Sequence, residues 1–221
     1  MQSSEQKLYK NSGNKHILDE VPATCHYILD IGCGAGDNAK ILSRYGRIVD
    51  GITISAKEAE AAGEYCRTVK VFDVEEGLPE GLSNTYDAII CSHLLEHICY
   101  PQKLFNDIKG KMTSSNSILI ISVPNLMHYR HRVQLLCGRF EYTEAGVMDY
   151  THFRWYTFES LKRLVESNGF TIVKTKIGGE IPCHSVLGLL PHWLTNIAKN
   201  ILFFVSPGLF GHEIVYVAKI T

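Results

Sequence analysis

The sequence predicts an α/β fold, an open sheet with helices on both faces. Apolar runs of strand length alternate along the chain with amphipathic stretches of helix length, the pattern of such a sheet. The first of those runs leads straight into a glycine-rich turn that opens a helix. With 221 residues, 45% of them apolar, the chain can bury the core of one fair-sized domain or two small ones.

Residues 5–20 read as a leading helix, and Tyr27 to Ile31 (YILDI) as the first buried strand. The glycine turn follows, then a helix over about 36–45 and a second strand over Ile48 to Ile54. Ser55 is placed to cap the next helix, with Glu58 at capping-box spacing, and that Ala- and Glu-rich helix ends near Tyr65. Val69 to Phe72 is a short third strand, and Gly77, Pro79 and Gly81 mark the link after it. Tyr86 to Cys91 forms the fourth strand, with a helix beginning near Pro101, where a missing N–H costs nothing. Ser117 to Val123 is the fifth, closed by Pro124. In the helix over Leu126 to Cys137, Leu126, Tyr129, Val133 and Leu136 share one face. Thr157 caps a helix to Ser167, which Gly169 stops. Phe170 to Ile177 and Glu213 to Ile220 are the last strands, about 35 residues apart. No repeat, low-complexity tract or composition shift marks a boundary. The expectation is therefore one domain over 1–221, with an N-terminal helical cap at 1–24 and a lid insertion at 178–211.

Composition excludes several classes. With 22 Lys plus Arg against 23 Asp plus Glu, the chain lacks the charge imbalance of a disordered protein and the basic surface of a general nucleic-acid binder. Seven cysteines, odd in number and without a CxxC pair, argue against a disulfide scaffold or zinc ribbon and for a reduced, cytoplasmic chain. The first residues, MQSSEQKLYKNSGNKH, contain no signal-peptide apolar region. Ile181 to Phe210 is the most apolar stretch, but Pro182, His184, Pro191, His192, Lys199, Asn200 and Pro207 break it. That rules down a transmembrane helix. It leaves two readings, a helical lid on the sheet or a surface in contact with a bilayer.

The most informative segment is ILDIGCGAGDNAK, residues 28–40. Alternate glycines allow close backbone approach to a ligand, and the helix start adds free N–H donors. The dinucleotide fingerprint wants a third glycine where Asp37 stands, and a carboxylate there would repel a pyrophosphate, so a nicotinamide or flavin cofactor loses. Asp30 and Asp73 end the first and third strands, where ligands of open parallel sheets bind, and carboxylates suit an amine-bearing cationic ligand. The glycine turn after a strand-end acid, the aspartate in DVEEGLP and the string CSHLLEHI after the fourth strand together resemble class I S-adenosylmethionine-dependent methyltransferases.

The resemblance covers residues 25–125 in motif detail. It implies a Rossmann-like, doubly wound, seven-stranded sheet with an antiparallel last strand, and S-adenosyl-L-methionine as cofactor. It assigns Asp30 and the turn of Gly32, Cys33, Gly34 and Gly36 to the methionine moiety, Asp73 and the Val74 backbone to adenine, and Ser92 with His93 to the floor under the sulfonium. Tyr9 would close the pocket from the leading helix. The family usually places an acid at the end of the second strand for the ribose hydroxyls. Here Thr53 stands at that place, and Asp50 would need a bulge to serve.

Methyl transfer to a hydroxyl needs alignment and removal of a proton, a task suited to histidine. His97 stands in LLEHI on the expected rim, with a capping and packing role as its structural alternative. His152 stands in GVMDYTHFRWYT, where Asp149 could orient the imidazole and Arg154 bind an anion; the alternative is a surface loop anchored by Trp155 and Tyr156. That block, with CGRFEYTEAG before it, is similar to bacterial methyltransferases of glycan and lipopolysaccharide pathways. HYRHR at 128–132 is a solvated helix face or, through Arg130, a site for a phosphorylated acceptor. No Asp, His and Glu group shows metal-ligand spacing, Asp149 and His152 coming nearest.

The sequence therefore predicts an O-methyltransferase acting on a sugar, glycan precursor or small natural product with His as general base. Two alternatives stand beside it, a small-molecule N-methyltransferase and a non-catalytic S-adenosylmethionine-binding partner. Oligomeric state stays open, a homodimer included.

Overall fold

A computed structural model describes residues 12–112, 114, 116–178, 193–194, 197 and 206–221. Tyr9, most of the 178–211 insertion and the first part of the 5–20 helix lie outside the described residues. Where the leading helix is described, it is shorter than expected. Gly13 has φ +78°, and the Asn14 side chain accepts from the His16 and Ile17 N–H groups, so α1 begins only at Lys15 and spans Lys15–Leu18.

The chain then alternates β1 (Tyr27–Ile31), α2 (Asp37–Ser43), β2 (Ile48–Thr53), α3 (Ala56–Ala62), β3 (Thr68–Val71), β4 (Ala88–Ser92), α4 (Gln102–Lys111) and β5 (Ile118–Pro124). After them come α5 (Tyr129–Leu136), α6 (Phe158–Ser167), β6 (Phe170–Gly178), a single turn α7 (Pro207–Phe210) and β7 (Glu213–Ile220). The seven strands form one sheet in the order β3-β2-β1-β4-β5-β7-β6. β1 to β5 pair in parallel, and β7 runs antiparallel between β5 and β6. The expected sheet, with its antiparallel last strand, is present.

Both faces of the central strands are buried, which is why they read as continuous apolar runs. Leu29 and Ile31, Ile89 and Cys91, Leu119 and Ile121 point to one core with Phe105, Leu161 and Phe170. Ile28, Ala88, Ile90, Ile118 and Ile120 point to the other, with Ile17 and Leu42. Each fully buried Ile or Leu stabilises the fold by about 1.5–3 kcal/mol. The α5 helix is present, but its apolar stripe is largely uncovered: Val133 is 56% and Leu136 87% exposed, and no residue of the helix is buried. No helix among the described residues is long and apolar enough to cross a membrane.

The chain runs outward from β1 through β2 to β3, then returns to place β4 on β1's other side. The strand order reverses between β1 and β4, so the loops after those strands diverge and leave a crevice.

Candidate active site

A cavity of about 1710 Å³ opens at that crevice, lined by the loops after β1, β2, β4 and β5 and by residues 139–153. Gly32 and Gly34 line it, and in the turn they share with Gly36 the three glycines take φ values of +77°, +52° and +84°. A Cβ on Gly32 would lie 3.0 Å from Leu94 Cδ1, and one on Gly36 would lie 2.9 Å from the Ala62 Cα. The amides of Gly32 and Cys33 bond the Ile52 carbonyl at 2.8 and 2.9 Å, fixing the turn against β2.

Asp30 lies fully buried under this turn. One carboxylate oxygen accepts from Asn38 Nδ2 at 3.3 Å, and the other, Oδ1, has no partner. Burial pushes its pKa up to about 7, with the Asn38 bond pulling the other way. Asn38 Oδ1 accepts in turn from the Asn14 amide at 2.9 Å, tying the N-terminal segment to the site.

At the end of β2, Thr53 lines the cavity and donates to Glu58 Oε2 at 2.6 Å. Glu58 is buried, and it reaches the same cavity from the first turn of α3. Asp50 is committed elsewhere, accepting from Arg67 Nη2 at 2.5 Å and from the Tyr86 hydroxyl at 2.7 Å. Of the two ribose candidates, then, Thr53 faces the cavity, with a carboxylate that spacing alone does not reveal. Asp73 and Val74 follow β3 on the same wall. Asp73 is exposed and caps a 3-10 turn by accepting from Glu75 N at 3.0 Å, while Val74 is buried.

After β4, Ser92 and His93 form the inner wall. The Asn14 amide nitrogen donates to Ser92 at 3.2 Å, to Ser122 at 3.1 Å and to Glu213 at 2.5 Å. His93, at φ +49°, is the one non-glycine residue with positive φ among the described residues. That backbone sets its ring between two carboxylates, 3.1 Å from Glu213 and 3.4 Å from Glu96. Burial opposes the charge, but the Glu213 and Glu96 carboxylates outweigh it and lift the His93 pKa to about 10. For Glu213 burial again opposes charge, and His93 holds the carboxyl down at about 2.

The outer half of the cavity brings His97 and His152 together, their rings 4.7 Å apart and edge to face. His97 Nδ1 lies 3.1 Å from the Thr151 carbonyl, and His152 Nδ1 lies 3.1 Å from the Val147 carbonyl. Both rings thus donate through Nδ1, which directs each Nε2 away from these carbonyls. Burial lowers the His97 pKa, favouring the neutral ring. Asp149 accepts from Thr151 N at 2.8 Å and its hydroxyl at 2.7 Å, so it shapes the loop that carries His152. The Nδ1 partner expected of it is the Val147 carbonyl instead.

Arg154 is not among the residues lining this cavity. Its guanidinium donates to the Cys99 carbonyl through Nε at 2.9 Å and Nη2 at 2.5 Å. Arg130 does line the cavity, joined there by Arg139. Glu96, beside His97, was not singled out in the sequence, although the same LLEHI string contains it. It is buried with neither carboxylate oxygen hydrogen-bonded. Asn14, Glu58 and Glu213 were missed too, since only the folded chain brings them to the site.

An α/β sheet with a glycine-lined crevice at its strand-order reversal, a buried acid beneath it and two histidines above it is a doubly wound fold with its ligand crevice at the switch point. The family described as a methyltransferase domain matches residues 8–175, and the chain belongs to it. Among curated proteins it is 21% identical over 151 residues to the ubiquinone biosynthesis O-methyltransferase of Coxiella burnetii, covering 63% of this chain and 62% of that one. The chain thus spans less than two thirds of that relative's length. A SAM-dependent methyltransferase from Archaeoglobus fulgidus superposes with a TM-score of 0.64 at 23% identity, over 89% of this chain and 87% of that one. Magnesium protoporphyrin IX methyltransferase from Synechocystis PCC 6803, solved with bound SAH, gives 0.55 at 18%, over 88% and 74%. These two likenesses concern the fold.

Proposed function

We propose that the protein transfers a methyl group from S-adenosylmethionine to a hydroxyl oxygen of a small molecule, a sugar, glycan precursor or related natural product. The observation that carries this reading is a single cavity with two unlike halves, a glycine cradle over an acid and a pair of adjacent imidazoles. The cradle fits the cofactor. Asp30 Oδ1 lacks a donor that an ammonium group would supply, and Cβ atoms at Gly32 or Gly36 would crowd the turn. Thr53 with Glu58 would accept from ribose hydroxyls, Asp73 and the Val74 backbone would receive adenine, and Ser92 with His93 would floor the reacting centre. Bound there, the cofactor supplies an electrophilic methyl group.

The chain's own work is alignment and proton removal. His97 and His152 each hold Nδ1–H on a carbonyl, so Nε2 can accept the hydroxyl proton. The imidazolium formed would sit beside Glu96, whose carboxylate favours it. Arg130 and Arg139 suit an acceptor with a phosphate or other anionic group. That the Coxiella relative bears the name O-methyltransferase supports oxygen as the methylated atom.

The test is a thermal-shift comparison of S-adenosylmethionine, its demethylated product and NADH, followed by turnover on a panel of sugar nucleotides and other hydroxyl acceptors. The first two ligands should raise Tm and NADH should not. His152→Ala should lower turnover by about 10²–10⁴ while cofactor affinity stays within a few fold. Stabilisation by NADH alone would overturn the reading.

A further inference from the structure

We propose that Glu96, His97 and His152 bind a divalent transition-metal ion of the zinc class, with its open coordination positions turned towards the acceptor half of the cavity. One ligand atom from each residue lies within 4.8 Å of the others. Tetrahedral zinc with ligands at about 2.0–2.1 Å sets them about 3.3 Å apart, so side-chain rotations must draw them in by about 1.5 Å.

Three independent features point to a cation there. The Glu96 carboxylate is buried with neither oxygen hydrogen-bonded, and it shares one cation, His93, 3.4 Å away through Nδ1, with Glu213. A buried carboxylate with half a counter-charge and no hydrogen bond is costly, and a metal ion is one of the few groups that relieves it. Secondly, both imidazoles donate Nδ1–H to main-chain carbonyls, the support that metal-bound histidines usually have, because it fixes the tautomer and aims Nε2 at the ion. Thirdly, the main chain clamps the third ligand to the other two. The amides of Phe153 and Arg154 bond the Glu96 carbonyl at 2.9 and 3.1 Å, and Arg154 grips the Cys99 carbonyl just beyond. The ligand loop is held by bonds that no imidazole pairing would need.

Two imidazoles and one carboxylate favour zinc-class ions over magnesium or calcium, which want oxygen ligands throughout. Three protein ligands leave at least one position for water or a substrate oxygen, the arrangement of catalytic rather than structural zinc. All three residues line the cavity, so the oxygen that completes the site is an acceptor hydroxyl or water. That last step rests on the proposed hydroxyl methyl transfer. With the ion present, both Nε2 atoms are occupied, and the ion lowers the pKa of the bound hydroxyl so that its proton passes to solvent and the oxygen attacks the methyl group as a metal-bound alkoxide, the demethylated thioether leaving. Metal binding itself does not depend on the reaction.

The experiment uses the untagged full-length chain, stripped with chelator and titrated with zinc or cobalt(II). Calorimetry and elemental analysis read stoichiometry, and the cobalt visible spectrum reads geometry. One ion per chain is expected, with a cobalt spectrum of a four- or five-coordinate site. Glu96→Gln, His97→Ala and His152→Ala should each weaken binding at least tenfold, with circular dichroism confirming the fold and His97→Ala standing in should Glu96→Gln not fold. Failure to bind zinc or cobalt at one equivalent would overturn the site. So would binding that survives His152→Ala, which would place the ion elsewhere, for instance at His128, His131 and His212, whose rings stand within 6.2 Å of His128. If zinc binds but S-adenosylmethionine neither binds nor donates methyl, the site stands and the proposed function fails. If methyl transfer persists undiminished in the chelated protein, the function stands and the catalytic use of the ion fails.

Discussion

Asp30 shows how a single residue can be tuned by what covers it. Its carboxyl is fully buried and has one donor, and burial pushes it up to about 7, well above the usual carboxylate range. As pH rises from about 4 to 7 the unfolded chain ionises here while the folded one resists, so this residue subtracts stability over that window and a constant amount above it. A cationic amine placed against Oδ1 reverses the balance, since it binds the ionised form. Affinity for S-adenosylmethionine should therefore rise about tenfold between pH 6 and pH 8, the change in the ionised fraction of a group with pKa near 7. Asp30→Asn should weaken binding, flatten that profile and stabilise the unliganded chain at pH 8. Calorimetric titration across pH 5.5–8.5 reads all three, and a flat wild-type profile would separate Asp30 from the ligand.

At the scale of elements, the turn between β1 and α2 is held by a close approach of α3. Gly36 has φ +84°, and an added Cβ would meet the Ala62 Cα at 2.9 Å and its Cβ at 3.1 Å. Backbone cannot swing aside as a flexible side chain can. Gly46, at φ +72°, has nothing within 4 Å of an added Cβ. The two positions separate conformation from collision. Gly46→Ala should cost about 1 kcal/mol for the left-handed backbone alone. Gly36→Ala should cost about 2–4 kcal/mol, because overpacking adds to it. Urea unfolding with an unchanged m-value would check the difference, and equal losses would mean that α2 and α3 part freely. The glycine pattern was legible because its cause is local. The covering of α5 was not: periodicity says that Leu126, Tyr129, Val133 and Leu136 share a face, but not which neighbour, if any, that face meets.

The same distinction runs through the whole molecule. The strand sequence could be read from the chain because strands buried on both faces are near-continuous apolar runs, and the crevice because a strand, a glycine turn and a helix start are contiguous. The seven-stranded count and the antiparallel last strand came with the resemblance carried by three short motifs. Asn14, Glu58, Glu96 and Glu213 were illegible because each acquires its role from tertiary contacts. Asn14 bonds Glu213 across 199 positions. It also caps α1, and these two duties make opposite predictions. If capping dominates, Asn14→Asp should behave like the wild type, since aspartate caps as well as asparagine, and Asn14→Ala should lose about 1 kcal/mol. If the amide donor to Ser92, Ser122 and Glu213 dominates, Asn14→Asp should be the worse variant, because it removes the donor and sets a carboxylate against Glu213. The 2.5 Å bond to a carboxylate that His93 already holds ionised favours the second outcome. We expect Asn14→Ala to lose about 1–3 kcal/mol and Asn14→Asp to lose more, with cofactor affinity falling in both, since the lost side-chain donor releases Ser92 and Glu213 on the cavity wall. Thermal unfolding of the two variants ranks them, and a wild-type Tm for Asn14→Asp would reduce Asn14 to a helix cap.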